Sequence, residues 1–406
     1  MSCRLALTLL LTVSIAGCGG ESDTVPSTKR ISSPAEAGSG QPRLYTAPDG
    51  RLFMSWVSPI ERERHALRYA TRDGASWSDP RTVATGSDWF VNWADLPGVR
   101  PLPDGRLAAH FLESTGSSAL AYAVRITQSA GDGRWHDVVT PHRDGTPTEH
   151  GFVSLLPWPD HRLLAVWLDG RKMSGSGHGQ GSMTLRSAVM DSTGAVERRD
   201  VLDERTCECC ATTAVRVGPE ALIAYRDRSQ GEIRDISLVR FDGQTWSEPT
   251  RLHQDGWEID GCPVNGPALA ADGERVVAAW FTAADGRPRV KVATSQDGGA
   301  TFADPVVVAQ GEAKGRVDVV LLDRGAAVSW LGERGQGGVV RLRGIRPDGS
   351  LGDPVTLASL ASAGRDVGFP KLARQGEHAY AAWVGQTEEA NATRVQTARV
   401  PLERIR

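Results

Sequence analysis

One kind of apolar segment recurs along the chain: four to six small or branched apolar residues that end on an aromatic residue. The closing aromatic residues lie 55, 56, 58, 55, 50 and 53 positions apart. They are Trp56, Phe111, Trp167, Tyr225, Trp280, Trp330 and Trp383. Turn-forming Asp-Gly pairs precede several segments, at 49–50, 104–105 and 272–273, which favours a β-hairpin leading into each. Self-similarity at this period indicates a repeat architecture with seven units.

A second motif follows several of these segments at about the same distance. It is clearest at 295–302 (SQDGGATF), with looser copies at 71–77 and 241–246 and vestiges at 131–135 and 347–350. The aspartate can accept backbone hydrogen bonds and glycine readily takes a positive φ, so we expect a tight turn between two further strands. Each repeat then has four strands, A to D, and the chain is predicted to be an all-β propeller.

We count seven blades, with six as the alternative. The last repeat ends after its third strand, so we expect residues 29–33 to supply the missing fourth strand and close the ring. The propeller then occupies residues 29–406 as a single domain.

The N-terminus has the features of a bacterial lipoprotein signal. Arg4 precedes an apolar run over 5–15, which is too short to span a bilayer, and Ala16 and Gly17 lead directly into Cys18. This arrangement resembles a lipobox, which implies that residues 1–17 are removed and that Cys18 is acylated, palmitate being one expected chain. Residues 18–28 are the lipidated cysteine and a flexible tether. We expect the periplasmic face of the outer membrane, or the cell surface, as the location.

The net charge of −3 argues against a nucleic-acid partner. The sequence shows no partner protein, and we expect a monomer that is held to the membrane by its lipid anchor.

The unusual polar residues fall in the predicted D–A and B–C loops, which share one face of a propeller. Loops carry most binding residues, so we expect a polar pocket at this face. Paired carboxylates are what glycoside hydrolysis requires, and the candidates for acid–base catalysis are Asp95, Asp169 and Asp318. The candidates for ligand contact are Trp89, Asn92, His150, Arg171, Arg226, Arg228, Arg234, Asn265, Arg316 and Arg365. Solvated loops and ion pairs within a blade are the alternative interpretation.

Four cysteines remain beyond Cys18, all in predicted D–A loops: Cys207, Cys209, Cys210 and Cys262. An even number outside the cytoplasm favours two disulfides, one of which would join Cys262 to the other group. The alternative is a thiolate site for copper or zinc, with His150 as a further ligand. No cofactor is fixed by the sequence beyond these two candidate metals.

The motif at 295–302 resembles the Asp-box of the sialidase-like (BNR-repeat) β-propeller superfamily. The resemblance covers nearly all of the predicted mature chain. It implies a propeller and, for an enzyme, a glycoside hydrolase of the exo-sialidase type. In sialidases an arginine near the start of blade one binds the substrate carboxylate, and Gly40 stands at that position here. Phe369 stands where the nucleophilic tyrosine of sialidases enters the final blade, so two catalytic residues of the family are missing.

Two functions follow as hypotheses. The first is a membrane-anchored propeller that binds, and as an enzyme would hydrolyse, a glycan or other small anionic ligand. The second is a non-catalytic binding or copper- or zinc-handling lipoprotein that is organised by the cysteine loops.

Overall fold

The computed structural model describes residues 28–61, 63–131, 133–173, 181–387 and 392–405. The predicted signal segment, Cys18 and nearly all of the tether lie outside the described residues. Within these ranges no helix combines the length and the apolar character needed to cross a membrane.

The described residues form seven antiparallel sheets and two short 3-10 helices. Blade 1 contains β2 (Gly40–Thr46), β3 (Leu52–Glu61), β4 (Arg64–Arg72) and β5 (Arg81–Gly86). Blade 2 contains β6 (Gly98–Pro101), β7 (Leu107–Ser114) and β8 (Tyr122–Gln128). Blade 3 contains β9 (His150–Trp158), β10 (Arg162–Met173), β11 (Gly181–Met190) and β12 (Val196–Thr206). Blades 4 and 5 contain β13 (Thr213–Val217), β14 (Glu220–Arg226), β15 (Ile236–Phe241) and β16 (Thr250–Arg251); and β17 (Ala268–Asp272), β18 (Arg275–Thr282), β19 (Arg289–Ser295) and β20 (Val306–Gln310). Blades 6 and 7 contain β21 (Ala313–Leu321), β22 (Ala326–Arg334), β23 (Gly337–Ile345) and β24 (Val355–Leu360); and β25 (Gly368–Gln375), β26 (His378–Gln386), β27 (Thr393–Pro401) and β1 (Lys29–Ile31). The 3-10 helices are η1 (Ala284–Gly286) and η2 (Leu402–Arg404).

The prediction of a seven-bladed propeller is confirmed. Six sheets have four strands, and the sheet of blade 2 has three. In blade 2, Val139 takes the place of a fourth strand, since it exchanges two backbone hydrogen bonds with Ile126 at 2.9 and 2.8 Å.

The N-terminal strand closes the ring, as expected. β1 pairs antiparallel with β27, and Lys29 lies opposite Arg399. Because β27 runs toward the A–B turn of its blade, the chain enters β1 on the face that carries the A–B and C–D turns. The pairing covers the strand edge that blade 7 would otherwise leave open.

The seven apolar segments form the second strand of each blade, where both faces of the sheet are covered. Trp56, Trp280 and Trp383 have no exposed surface, and Trp167 is 1% exposed. These side chains fill the space between neighbouring blades, so the recurring aromatic residue is explained by packing.

The Asp-turns have the predicted hydrogen bonds. The carboxylate of Asp297 accepts bonds from the hydroxyl of Ser295 at 2.6 Å and from the backbone N–H of Thr301 at 2.9 Å. Asp242 accepts from the backbone N–H of Thr245 at 2.6 Å. The bonds hold the C–D turn closed, and they explain the recurrence of aspartate there.

Candidate functional site

The D–A loops enter the innermost strands through residues with strained backbones. Gln41, Phe152, Val264, Arg316 and Phe369 all have φ between 50° and 57°. In blades 1, 3, 6 and 7, this entry coincides with a shift in the register between the first and second strands. Non-glycine residues rarely adopt this conformation, and those that do are held there by their surroundings, often near functional sites. The mouth of the propeller is therefore built from five similar strained entries.

Polar side chains from one blade hold the strand entry of the next. Asp95 accepts the backbone N–H of Phe152 at 2.7 Å, and Asn265 accepts that of Arg316 at 2.7 Å. Asp318 accepts the backbone N–H of Leu372 at 2.8 Å. We call these three contacts the interblade clasps. Three of the residues predicted to act on a ligand thus stabilise the ring, and their roles at a ligand stay predictions.

Asp95 belongs to a buried acidic group with Glu149 and Tyr122. The Tyr122 hydroxyl donates to Glu149 at 2.5 Å. Burial raises the pKa of Asp95 to about 7. Burial also raises the pKa of Glu149 to about 7, with a further contribution from the charge of Asp95. Both acids can hold a proton near neutral pH, but Asp95 is 0% exposed and Glu149 is 6% exposed.

Asp169 lies in a second cluster, within β10 and not in a loop as expected. Arg171 donates two hydrogen bonds of 2.6 Å to the carboxylate of Asp169. Burial alone would raise the pKa of Asp169, but Arg171 and His150 outweigh it and lower the pKa. Asp169 is thus an ionised carboxylate without exposed surface.

His150 joins this cluster through both ring nitrogens. Its Nδ1 lies 3.0 Å from the carbonyl oxygen of Thr148, and its Nε2 lies 3.1 Å from a carboxylate oxygen of Asp144. Both neighbours are acceptors, so both nitrogens must donate, and the ring is an imidazolium. Burial opposes this charge, but Asp144 and Asp169 raise the pKa of His150.

His142 completes the cluster. Its ring stacks on that of His150 at 3.9 Å, and burial together with the neighbouring charge lowers its pKa to about 4. His142, Asp144 and His150 place potential metal ligands within 4.8 Å of one another. Arg171 reaches the Asp144 carboxylate at 3.2 Å, so Arg171 and the His150 proton already supply the positive charge that a metal would bring.

Most of the arginines predicted to contact a ligand instead bind groups within the protein. Arg226 is 1% exposed and donates to the carbonyl oxygens of Asn265, Arg234 and Phe281. Arg228 and Arg234 both bind the carboxylate of Glu208, which has no exposed surface. Arg228 and Arg234 hold the loop between blades 3 and 4, and Arg226 holds the loop between blades 4 and 5. None of the three guanidinium groups is free for a ligand.

The four cysteines form one disulfide and one pair of thiols. Cys209 and Cys262 are bonded across 53 residues, which confirms that Cys262 joins the other group and ties blade 4 to blade 5. The expected second disulfide is absent among the described residues: Cys207 and Cys210 are buried thiols with sulfurs 3.2 Å apart. Burial opposes ionisation of Cys207, but its bond to Cys210 and the charge of Arg234 lower its pKa.

A pocket of about 370 Å³ opens at the mouth between blades 7, 1 and 2. Half-buried Trp93 and Phe369 form its apolar wall, with Asn92 and Arg365 beside them. Arg316 lies 5.2 Å from the Trp93 ring and Arg365 lies 5.6 Å from it. Arg316 also donates to backbone carbonyl oxygens, whereas exposed Arg365 has no hydrogen bond or ion pair within the described ranges. The pocket combines an aromatic face with the uncommitted guanidinium of Arg365 and the exposed carboxylate of Asp366.

The structure thus brings together only some of the predicted residues. Asn92, Arg316 and Arg365 meet around Trp93, and His150, Arg171 and Asp169 meet in the buried cluster. Trp89 lies apart from both groups and stacks on Phe111 at 4.5 Å.

Three residues of these clusters were not among the sequence candidates: Trp93, His142 and Asp144. Trp93 follows Asn92 in the same loop, and tryptophan in a loop is itself a signal. His142 and Asp144 lie in a stretch before His150 that carries no motif, and only the histidine spacing could have drawn attention to them.

Comparison with known proteins supports the fold. No protein-family model matches the chain, and no curated protein matches it. An α-L-arabinanase of Penicillium chrysogenum is 11% identical, covers 94% of this chain and 100% of its own, and has a TM-score of 0.53. The polysaccharide lyase Uly1 is 9% identical, covers 89% and 90%, and has a TM-score of 0.51. The NanB sialidase of Streptococcus pneumoniae is 13% identical, covers 91% and 69%, and has a TM-score of 0.48. At these identities the first two comparisons show a shared propeller fold.

Proposed function

We propose that the chain is a lipoprotein of the bacterial envelope whose mouth binds a glycan or another small anionic ligand. Acylated Cys18 is its anchor, at the periplasmic face of the outer membrane or at the cell surface. The observation that carries the proposal is the pocket at Trp93, with the free guanidinium of Arg365 beside a half-buried aromatic face.

The chemistry of this pocket suits an acidic sugar. An aromatic wall with a few convergent polar groups is the usual form of a small-ligand site. A planar guanidinium matches the geometry of a carboxylate, sulfate or phosphate group. Uronic-acid residues carry both an apolar sugar face and a carboxylate, so they are the proposed ligand class. The names of the arabinanase and the lyase indicate action on glycans and are consistent with a glycan ligand.

Binding is favoured over hydrolysis. A catalytic carboxyl group has to reach the glycosidic bond, and Asp95 and Asp169 have no exposed surface. Asp318 lines the channel and not the pocket at Trp93. Gly40 and Phe369 also lack the functional groups that sialidases use at those positions.

The anchor would leave the mouth facing away from the membrane. The chain enters Lys29 on the face of the A–B and C–D turns, which is opposite the D–A and B–C loops. The tether over 19–28 can span at most about 35 Å when extended. An anchored propeller would therefore present Trp93 outward, where a soluble or surface glycan can reach it.

The test is a glycan-binding assay on the full chain purified in detergent. Neutral and uronate-containing oligosaccharides are screened against the wild type, Trp93→Ala and Arg365→Gln. Trp77→Ala, at a C–D turn on the other face, is the matched control. We expect acidic oligosaccharides to bind, with a loss of about tenfold or more in either mouth variant and little change in the control.

Two results would count against the proposal: no oligosaccharide is retained, or the mouth variants bind as well as Trp77→Ala. Mass spectrometry of the bound oligosaccharides in the same assay detects cleavage. Cleaved products would show that the mouth is an active site and would contradict the preference for binding.

A second candidate function is the handling of copper or zinc by Cys207 and Cys210. The disulfide removes Cys209 and Cys262 as ligands, but the two thiols are 3.2 Å apart and the pKa of Cys207 is lowered. Two close thiolates suit a soft ion such as Cu(I). Two reactive thiols and about one metal ion per chain, in protein purified anaerobically, would support this function. A second disulfide without metal would rule it out.

A further inference from the structure

The innermost strands of all seven blades surround a cavity of about 840 Å³ in the central channel. The cavity reaches the A–B turns, since Pro48, Asp272 and Asp323 belong to its lining. It does not include Trp93 or Phe369, which lie in the mouth pocket. The channel cavity therefore opens on the face opposite the mouth and is a separate site.

Three cations converge on one side of this cavity. Arg43, Arg100 and Lys371 come from blades 1, 2 and 7, which are neighbours in the ring, and all three line the cavity. The Arg100 guanidinium lies 4.3 Å from the centre of the Tyr45 ring. We call Arg43, Tyr45, Arg100 and Lys371 the cationic arc.

The cationic arc is only partly neutralised by the protein. Arg43 donates to the carbonyl oxygen of Leu96 at 2.9 Å. Within the described residues, Arg100 and Lys371 make no hydrogen bond or ion pair. Asp318 is the one lining carboxylate away from the A–B turns, and it is engaged by the backbone N–H groups of Leu372 and Val319. Asp272 and Asp323 lie at the opening, where Asp323 pairs with Arg374 at 2.6 Å. The four cations and three carboxylates of the whole lining leave a net charge of about +1, and the cationic arc with Asp318 alone carries about +2. Such an excess in a partly enclosed space is unfavourable unless an anion compensates it.

The pKa shifts agree with this charge balance. Burial alone would raise the pKa of the Tyr45 phenol, but Arg43, Arg100 and Lys371 together lower it. Burial lowers the pKa of Lys371, and Arg43 lowers it further against the opposing effect of Asp318. The cations thus act on one another and on Tyr45 at short range.

Apart from Asp272 at the opening, the opposite wall of the cavity is uncharged, and many of its residues are small. Blades 3 to 5 contribute Ser154, Thr213, Ala268 and Ala270. Side chains of this size leave room for the body of a small molecule, while the cationic arc faces its charged group.

We propose that the central channel binds a small oxyanion, with a phosphate, sulfate or carboxylate group held by Arg100 and Lys371 and by the hydroxyl of Tyr45. Half-buried Arg100, Lys371 and Tyr45 are reachable through the opening at the A–B turns. Fixed cations in a partly enclosed site bind an oxyanion more strongly than the same groups at an open surface. This binding does not depend on the proposed function of the mouth.

The test is isothermal titration of the full chain in detergent with inorganic phosphate, sulfate and glucuronate, each titrated separately at pH 7. We expect saturable binding of at least one of them with a Kd of about 1 mM or tighter. Arg100→Gln and Lys371→Met should each weaken that binding by about tenfold or more. Arg64→Gln, which removes a charge from an exposed strand end, is the matched control and should bind like the wild type. The three titrants separate a preference for phosphate or sulfate from one for a carboxylate.

A second measurement, the titration of Tyr45, does not depend on whether Arg100→Gln and Lys371→Met fold. The ultraviolet titration of Tyr45 is isolated as the difference between the wild type and Tyr45→Phe. A bound anion offsets the cations that lower the pKa of Tyr45, so a saturating anion should raise that pKa. The proposal is overturned if none of the three anions binds saturably, if Arg100→Gln and Lys371→Met bind like Arg64→Gln, or if the bound anion leaves the Tyr45 titration unchanged.

Discussion

Glu208 should be among the most sensitive positions for stability in the chain. Its carboxylate has no exposed surface and lies between two guanidinium groups, those of Arg228 and Arg234, which are 4% and 2% exposed on their side chains. The Arg234 contact is 2.6 Å long. Substitution with glutamine keeps the shape of the side chain but removes its negative charge.

The size of the stability loss in Glu208→Gln depends on the partners that Arg228 and Arg234 keep. Glu232 still pairs with both, at 2.9 and 3.0 Å, but its side chain is 23% exposed and supplies one negative charge for two cations. The amide NH2 of glutamine would also face a guanidinium, donor against donor. Removing one partner from a buried ionic network costs about 3–5 kcal/mol, and the remaining Glu232 favours the lower end of that range. For a domain of this length, a loss of this size corresponds to a decrease in Tm of about 4–6 °C.

The assay is urea unfolding followed by tryptophan fluorescence, with thermal unfolding as a second measurement. Glu204→Gln is the matched control, because the Glu204 side chain is 63% exposed in its pair with Lys172. An exposed pair contributes about 0–1 kcal/mol, so the control should stay close to the wild type. The reasoning is refuted if Glu208→Gln costs less than about 1 kcal/mol, or if both variants lose the same amount.

Three further predictions concern stability. Because the pKa of Asp95 is raised to about 7 in the folded protein, its stabilising contribution is complete below the unfolded pKa of about 4 and is lost as the pH rises through 7. In urea unfolding, the free energy of unfolding of Asp95→Asn minus that of the wild type should therefore rise by up to about 4 kcal/mol between pH 4 and 8. A difference that does not change with pH would contradict this. Loss of the disulfide in Cys209→Ser/Cys262→Ser should cost about 4 kcal/mol in non-reducing unfolding, given the separation of 53 residues, and a loss below about 1 kcal/mol would count against it. Gly151→Ala should cost about 1–3 kcal/mol or more in thermal unfolding, because the added Cβ would lie 1.9 Å from a carboxylate oxygen of Asp95. Gly40→Ala is the control, since a Cβ there meets nothing within 4 Å. Equal effects of the two substitutions would argue against the close approach of Gly151 to Asp95.

The architecture was predictable because its signals are local and repeated. The apolar segment ending on Trp56, Trp280 or Trp383 gives the second strand of a blade, and the bonds of Asp297 and Asp242 lie within their own turns. The same turn chemistry repeated in phase gives the number of blades. The closing strand followed from counting strands, since blade 7 lacked one.

The partners of polar side chains were not predictable in the same way. Asp95 and Asn265 have the residue types of a ligand site, and the sequence cannot distinguish that role from an interblade clasp. The clasps do leave a trace: Asp95 precedes Phe152 by 57 positions and Asn265 precedes Arg316 by 51. A separation of about one repeat between a polar residue and a strand entry is what a contact between consecutive blades requires. The repeat period thus contained information on these contacts that residue type alone did not.

Polar and charged side chains that have no partner within the fold indicate where ligands would bind. Asp95, Asn265 and Arg226 are occupied by backbone groups, whereas Arg365 at the mouth and Lys371 in the channel have no such partner among the described residues. The two cations lie in separate cavities that open on opposite faces, so their effects should be independent. Arg365→Gln should weaken glycan binding and leave phosphate binding unchanged, and Lys371→Met should do the reverse. If either variant affects both ligands equally, the mouth and the channel act as one site, and the assignment of two separate sites is wrong.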